Sequence, residues 1–305
     1  MSVIEVNHLA KAYGRHHAVT DVSFEVQRGE IFGVLGPNGA GKTTTVECIA
    51  GLRSRDAGQV RVLGVDPERD RAGVRRSVGV QLQNGELPEK LRVGEALELF
   101  ASFYPEPADP AELIEVLGLG AAVNSYWGVL SGGQKQRLSI ALALIGGPTI
   151  AILDELTTGL DPAARRETWD LIEAVRDRGA TILLVTHFMQ EAERLCDRLA
   201  VINDGRVAAL DTPAGIVAGI DTEQRMRFVP SAPLDERLLT DLPEVTQLVR
   251  VRDQLQLRGN ADLISSVISV LARHGVVAQQ LRVEQPSLDD AFIAMISRSA
   301  KEQSR

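Results

Sequence analysis

Residues 36–43 read Gly-Pro-Asn-Gly-Ala-Gly-Lys-Thr, set between an apolar run, EIFGVLG (30–36), and a helix-compatible run, TTTVECIA (43–50). This segment constrains the fold more than any other, because it requires a strand to end in a glycine-rich turn and a helix to begin at once. Gly36, Pro37, Asn38, Gly39, Ala40 and Gly41 let the backbone wrap a polyphosphate with its N–H groups pointing inward, and the following helix N-terminus adds positive potential. Lys42 then reaches the outer phosphates, Thr43 offers a hydroxyl to Mg²⁺, and Thr44 belongs to the same nucleotide-binding set.

Such a P-loop specifies a nucleoside triphosphate and nothing narrower. A second site follows from Ile150-Ala151-Ile152-Leu153-Asp154-Glu155, a buried-strand pattern ending in two acids whose side chains point to opposite faces. Asp154 suits Mg²⁺, directly or through water, and Glu155 suits the general base that polarises an attacking water. A third element is Leu130-Ser131-Gly132-Gly133-Gln134, followed by the amphipathic KQRLSIALAL. Its glycines expose backbone N–H groups at a helix N-terminus, an anion site without a lysine. One chain thus carries two phosphate-seeking loops.

Up to about residue 213, short β-rich runs (EIFGVLG, SVGVQLQ, TIAILDE, TILLVTH) alternate with helical patterns, which predicts an α/β fold with a mostly parallel, helix-covered sheet. Strands that end abruptly in polar residues deliver functional groups to the carboxyl edge of that sheet. Residues 86–147 show helical periodicity without a β-rich run and are expected to form an inserted helical subdomain. The first domain is assigned to 1–219 and an accessory domain to 220–305. The latter reads strand, helix, strand, strand, helix, strand, a ferredoxin-like α+β order. A last helix is expected from Ser287 to about residue 297, with Ser287 as its N-cap.

A net charge of -8 disfavours broad binding to nucleic acid. Cys48 and Cys196 lie far apart and read as small buried hydrophobes, compatible with a reducing compartment. The start MSVIEVNHLA lacks a secretory signal pattern, and the longest uncharged run, residues 138–153, is too short and too broken by glycine and proline to span a bilayer.

With LSGGQ at 130–134, the chain resembles the ATP-binding cassette (ABC) family over about residues 1–215. Four further matches stand in the family's order: Tyr13 before the first core strand, Gln83 after SVGVQL, Asp161 in TTGLDP, and His187 after TILLVT. The resemblance implies ATP and Mg²⁺ as ligands. It implies that Tyr13 stacks on adenine, that Gln83 contacts Mg²⁺ and the attacking water and senses a membrane subunit, and that His187 holds the γ-phosphate. Ser131, Gly132, Gly133 and Gln134 would grip the ATP of a second cassette, in a homodimer or paired cassette. Asp161, followed by Pro162, is also a good helix N-cap, for a helix running to Gly179. The family places Pro after the catalytic Glu where this chain has Leu156, which predicts a looser loop over residues 156–161. Tyr126 and Trp127 read as packing of the helical subdomain. The ending PSLDDAFIAM resembles the accessory domain of daunorubicin-resistance-type export ATPases. The implied protein is a cytoplasmic ATPase on the inner face of the membrane, held there by a separate multi-spanning permease. The alternatives are a ribosome- or nucleic-acid-associated cassette, an ATP-gated signalling switch and a non-enzymatic nucleotide sensor.

Overall fold

The chain opens with two long strands, β1 (Ser2–Tyr13) and β2 (His16–Gln27), paired antiparallel through a two-residue turn in which Gly14 takes φ +61°. In the computed structural model, residues 1–81, 85–219, 224–284 and 287–303 are described. The chain falls into two units, Met1–Pro213 and Ala214–Arg305.

In the first unit β3 (Ile31–Leu35) leads into α1 (Lys42–Ile49), then β4 (Ala57–Val62), α2 (Arg71–Ser77) and β5 (Val78–Gln81). Helices α3 (Val93–Ala101), α4 (Pro110–Val116) and α5 (Gly132–Leu144) follow, before β6 (Ile150–Asp154), α6 (Pro162–Asp177), β7 (Thr181–Thr186) and α7 (Met189–Leu195). Strands β8 (Arg198–Asn203) and β9 (Arg206–Asp211) complete the series, and helix α8 (Pro213–Ala218) begins at the boundary and lies almost wholly in the second unit. One nine-stranded sheet runs β4-β1-β2-β9-β8-β3-β7-β6-β5. Its half from β8 to β5 is parallel, as the alternation predicts, and an antiparallel flank of β4, β1 and β2 extends it. The flank escapes the sequence pattern because β1 and β2 are half-exposed and lack the continuous apolar run of a doubly covered strand. Every position of β3, β6 and β7 is buried, which is why those three runs read as almost wholly apolar.

Register sets the site. Leu35 pairs with Thr186, and Asp154 with Val185, so the residues just beyond β3, β6 and β7 leave the sheet at one edge. On β5 a methyl group at Gly79 would lie 1.8 Å from the Ala143 carbonyl oxygen, so the last turn of α5 rests directly on that strand's backbone. Gly79→Ala is expected to destabilise the protein by about 1–3 kcal/mol; an unchanged denaturation midpoint would contradict this seating of α5.

The second unit contains β10 (Gln224–Pro230), α9 (Arg237–Thr240), β11 (Val245–Val251), β12 (Gln254–Gly259), α10 (Leu263–Arg273), β13 (Ala278–Glu284) and α11 (Leu288–Gln303). Its sheet is β11-β12-β10-β13, antiparallel throughout, in the expected βαββαβ order. Met226, Phe228, Leu255 and Leu257 form its core with Leu263, Val267 and Leu271 of α10. The Ser287 hydroxyl accepts a hydrogen bond from the Asp290 N–H at 3.2 Å, the predicted cap, but the helix runs on to Gln303 rather than ending near residue 297. Both cysteines are free and buried, and burial pushes the Cys48 thiol up to about 11.

Candidate nucleotide site

The loop between β3 and α1 is shaped by two close approaches. A Cβ at Gly36 would stand 2.2 Å from the Ile202 carbonyl oxygen, and one at Gly41 would stand 2.3 Å from that of Ala18. Gly41 also takes φ +100° at the helix N-cap, a conformation that only glycine adopts freely. The loop therefore curls against β2 and β8, and Lys42 is drawn back over it. The Lys42 ammonium donates to the carbonyl oxygens of Gly36 at 2.9 Å and Pro37 at 3.1 Å. Burial lowers its pKa, against the opposing pull of Glu155 and Asp154.

Asp154, the last residue of β6, is completely buried and neither carboxylate oxygen has a hydrogen-bond partner. Burial, and then the Glu155 charge, push it up to about 6, while Lys42 and the Thr43 hydroxyl act the other way. The Thr43 hydroxyl is thus close enough to favour the anion without completing a hydrogen bond. A buried carboxylate with two open oxygens beside a threonine hydroxyl fits a hard divalent cation such as Mg²⁺, which takes few protein oxygens and keeps water and phosphate as its other ligands. Among the described residues no cluster of three or more His, Cys, Asp or Glu offers a site of another kind. The Asp154 N–H donates to Gln81 Oε1 at 3.1 Å, a contact that the motifs did not single out. Gln83 lies outside the described residues.

Glu155 adopts φ +50°, held by its N–H donating to the Val185 carbonyl at 2.8 Å. This left-handed turn, which strand alternation does not predict, swings the side chain toward His187. His187 Nδ1 lies 3.3 Å from Glu155 Oε1, within ion-pair range but off the alignment of a hydrogen bond. Leu156 is fully buried, and the loop beyond is closed by the N–H of Thr158 donating to Glu155 and that of Leu160 to Thr157. Where the family has proline, apolar burial of Leu156 and these two turn bonds hold the loop. Asp161 caps α6 as predicted, accepting from the N–H groups of Ala163 and Ala164 at 2.9 and 3.0 Å.

Tyr13, Asn38, Gly39, Gly41, Lys42, Thr43, Thr44 and Glu155 line one cleft of about 430 Å³, together with His16, which the motifs did not indicate. The half-exposed Tyr13 ring is backed by the Arg53 guanidinium at 5.1 Å. A different cleft, of about 360 Å³, is lined by Ser131, Gly132, Gly133, Gln134 and Asp161. Ser131 and Gln134 form a capping box there: the Gln134 N–H donates to Ser131 Oγ, and the Ser131 N–H to Gln134 Oε1. Just before it, Trp127 is buried as expected. Tyr126 is more exposed but also packs within the subdomain, its ring 5.1 Å from the Arg92 guanidinium.

A mostly parallel sheet with the glycine-rich loop of residues 36–43, the buried Asp154 and the Glu155–His187 pair at one edge is the fold of a P-loop nucleoside triphosphatase. The family model described as ABC transporter matches residues 19–158. The Nod factor export ATP-binding protein I of Paraburkholderia xenovorans is 41% identical over 256 residues, 81% of this chain and 83% of that protein. Its namesake from Ralstonia nicotianae is 33% identical over 308 residues, 98% of this chain and 95% of the other, so the likeness extends through the second unit. Among solved structures, a dimeric ATP-binding cassette in a post-hydrolysis state with ADP and Pi superposes with a TM-score of 0.61 at 26% identity, over 68% of this chain and 98% of that one. The chain belongs to the ABC transporter family, as an ATP-binding and ATP-hydrolysing cassette.

Proposed function

We propose that two copies of this chain, or this chain and a paired cassette, clamp ATP between them and that its hydrolysis drives export through a separate multi-spanning permease. One observation carries the two-copy reading: the lysine-bearing loop and the serine-glycine loop line separate clefts of one chain, so a triphosphate gripped by both needs a second cassette. The dimeric solved relative supports the same arrangement. No described helix is long and apolar enough to cross a membrane, so the translocation path is assigned to the partner. The export relatives favour outward transport, and the docked protein would then sit on the cytoplasmic face of the membrane.

In this mechanism Tyr13 stacks on adenine, and Lys42 exchanges the Gly36 and Pro37 carbonyls for phosphate oxygens. Mg²⁺, when bound, neutralises phosphate charge; Thr43 and Asp154 are the residues to hold it, with Gln83 added by family resemblance. Glu155 takes a proton from water as the water oxygen bonds to the γ-phosphorus and the bond to the ADP oxygen breaks, releasing ADP and phosphate. His187, beside Glu155, orients that water and the γ-phosphate. Ser131, Gly132, Gly133 and Gln134 offer hydroxyl and N–H donors to the other copy's nucleotide. ATP favours the closed pair and ADP the open one, and that difference in affinity is the motive force.

Tyr13→Ala should weaken ATP binding about tenfold through lost stacking while turnover at saturating ATP stays near wild type, as a fluorescent-nucleotide titration can measure. The transport reading is tested by purifying the tagged chain from detergent-solubilised membranes. A multi-spanning protein is expected to accompany it, and its consistent absence would overturn the assignment.

A further inference from the structure

The first turn of α6 and the residues leading into it touch both halves of the machinery. On one side it meets the serine-glycine loop: methyl groups at Gly132 and Gly133 would lie 3.6 Å from Leu160 Cδ2 and from the Ala164 Cβ. On the other side Arg165, next in sequence, lays its guanidinium 4.4 Å from the centre of the Phe188 ring. Phe188 follows His187, and their rings are 4.2 Å apart. His187 in turn reaches Glu155 at 3.3 Å. Contacting groups thus run from Arg165 through Phe188 to His187, the residue beside Glu155.

Arg165 is held differently from Arg176 and Arg194, which are ion-paired. Arg176 pairs with Asp177, and Arg194 of α7 pairs with Asp170 and Glu173 of α6. Among the described residues no carboxylate pairs with Arg165, and its Nε is buried without a hydrogen-bond partner. A cation–π contact with the ring, rather than an ion pair, holds the guanidinium, which covers more of an aromatic face than an ammonium does. Phe188 is itself well anchored: its N–H donates to Thr186 Oγ1 at 3.0 Å, and its carbonyl accepts from Glu191 and Ala192 in α7. Clamping this ring therefore limits how far the His187 imidazole can swing.

We infer that Arg165 is a positioning residue for hydrolysis: through Phe188 it holds His187 against Glu155 and ties that alignment to the seating of the serine-glycine loop. The inference rests on the role proposed for His187, and its test separates the two. With the full-length chain, Mg²⁺ and ATP, Arg165→Ala should lower kcat about tenfold to a hundredfold, the range expected when a catalytic group is misplaced by about an ångström. ATP affinity should change less than twofold. Phe188→Ala should give a similar loss, and the double variant should be no worse than either, because both break one contact. Arg165→Lys, which keeps charge and stem and so guards against misfolding, should restore turnover only in part, since the ammonium makes a weaker contact with the ring. In a His187→Ala background, Arg165→Ala should have no further effect. Near-wild-type kcat in both Arg165 variants, or losses at Arg165 and Phe188 that multiply, would overturn the inference while leaving His187 in its role. Full turnover in His187→Ala alone would remove both.

Discussion

Glu155→Gln should lower steady-state ATP hydrolysis by about a hundredfold to ten-thousandfold and leave ATP binding intact. The amide has the same shape and can occupy the left-handed turn that Glu155 already adopts at φ +50°, so the backbone bond to Val185 survives. What disappears is the proton acceptor at the edge of the nucleotide cleft, beside His187. ATP can then bind without being consumed, and a closed pair of chains should accumulate. Phosphate release and size-exclusion chromatography with ATP and Mg²⁺ measure the two effects. A variant that turns over ATP at the normal rate would remove Glu155 from its role, and one that stays monomeric with ATP and its partner present would count against the two-copy clamp.

Asp154→Asn should change stability and activity in opposite directions. The carboxyl is pushed up from 3.8 to about 6, chiefly by burial and secondly by Glu155. Below about pH 3 it is largely protonated both folded and unfolded, so its ionisation adds no penalty. As pH rises toward 6 the unfolded chain ionises and the folded one resists, so nucleotide-free stability falls across that window and stays lowered above it. At pH 7 the penalty is at most about 3 kcal/mol. The asparagine variant escapes it and should melt several degrees higher without nucleotide, losing the decline between about pH 4 and 6. It should also lose most Mg²⁺-dependent hydrolysis and be stabilised less than wild type by ATP with Mg²⁺. A lower melting temperature than wild type at pH 7 would mean that the isolated carboxylate is not the burden its surroundings indicate.

Much of the candidate site was legible in the sequence because each motif is a short contiguous string whose residue types suit the proposed chemistry. The glycines at 36 and 41 are required by backbone approaches of 2.2 and 2.3 Å, which is why nothing larger stands there. Asp161 and Ser131 cap helices by local bonds that span three residues or fewer. The role of Gln81 was not legible, since its bond to the Asp154 N–H joins positions 73 residues apart. Nor was that of Arg165, which reads as one more charge on a solvated helix until Phe188 is brought beneath it.

By itself the sequence determined a mostly parallel sheet with a glycine-rich loop suited to a polyphosphate, two acids after a buried strand, a second helix start suited to an anion and a βαββαβ second unit. These follow from local backbone sterics, helix-end electrostatics and the periodicity of burial. Only the tertiary structure decided that Glu155 turns toward His187, that Leu156 anchors its loop by burial, that β1, β2 and β4 form an antiparallel flank, and that the two phosphate-seeking loops open into separate clefts. Periodicity records which face of an element is covered and carries no record of what covers it, so contacts between distant segments arise only when the chain has closed on itself.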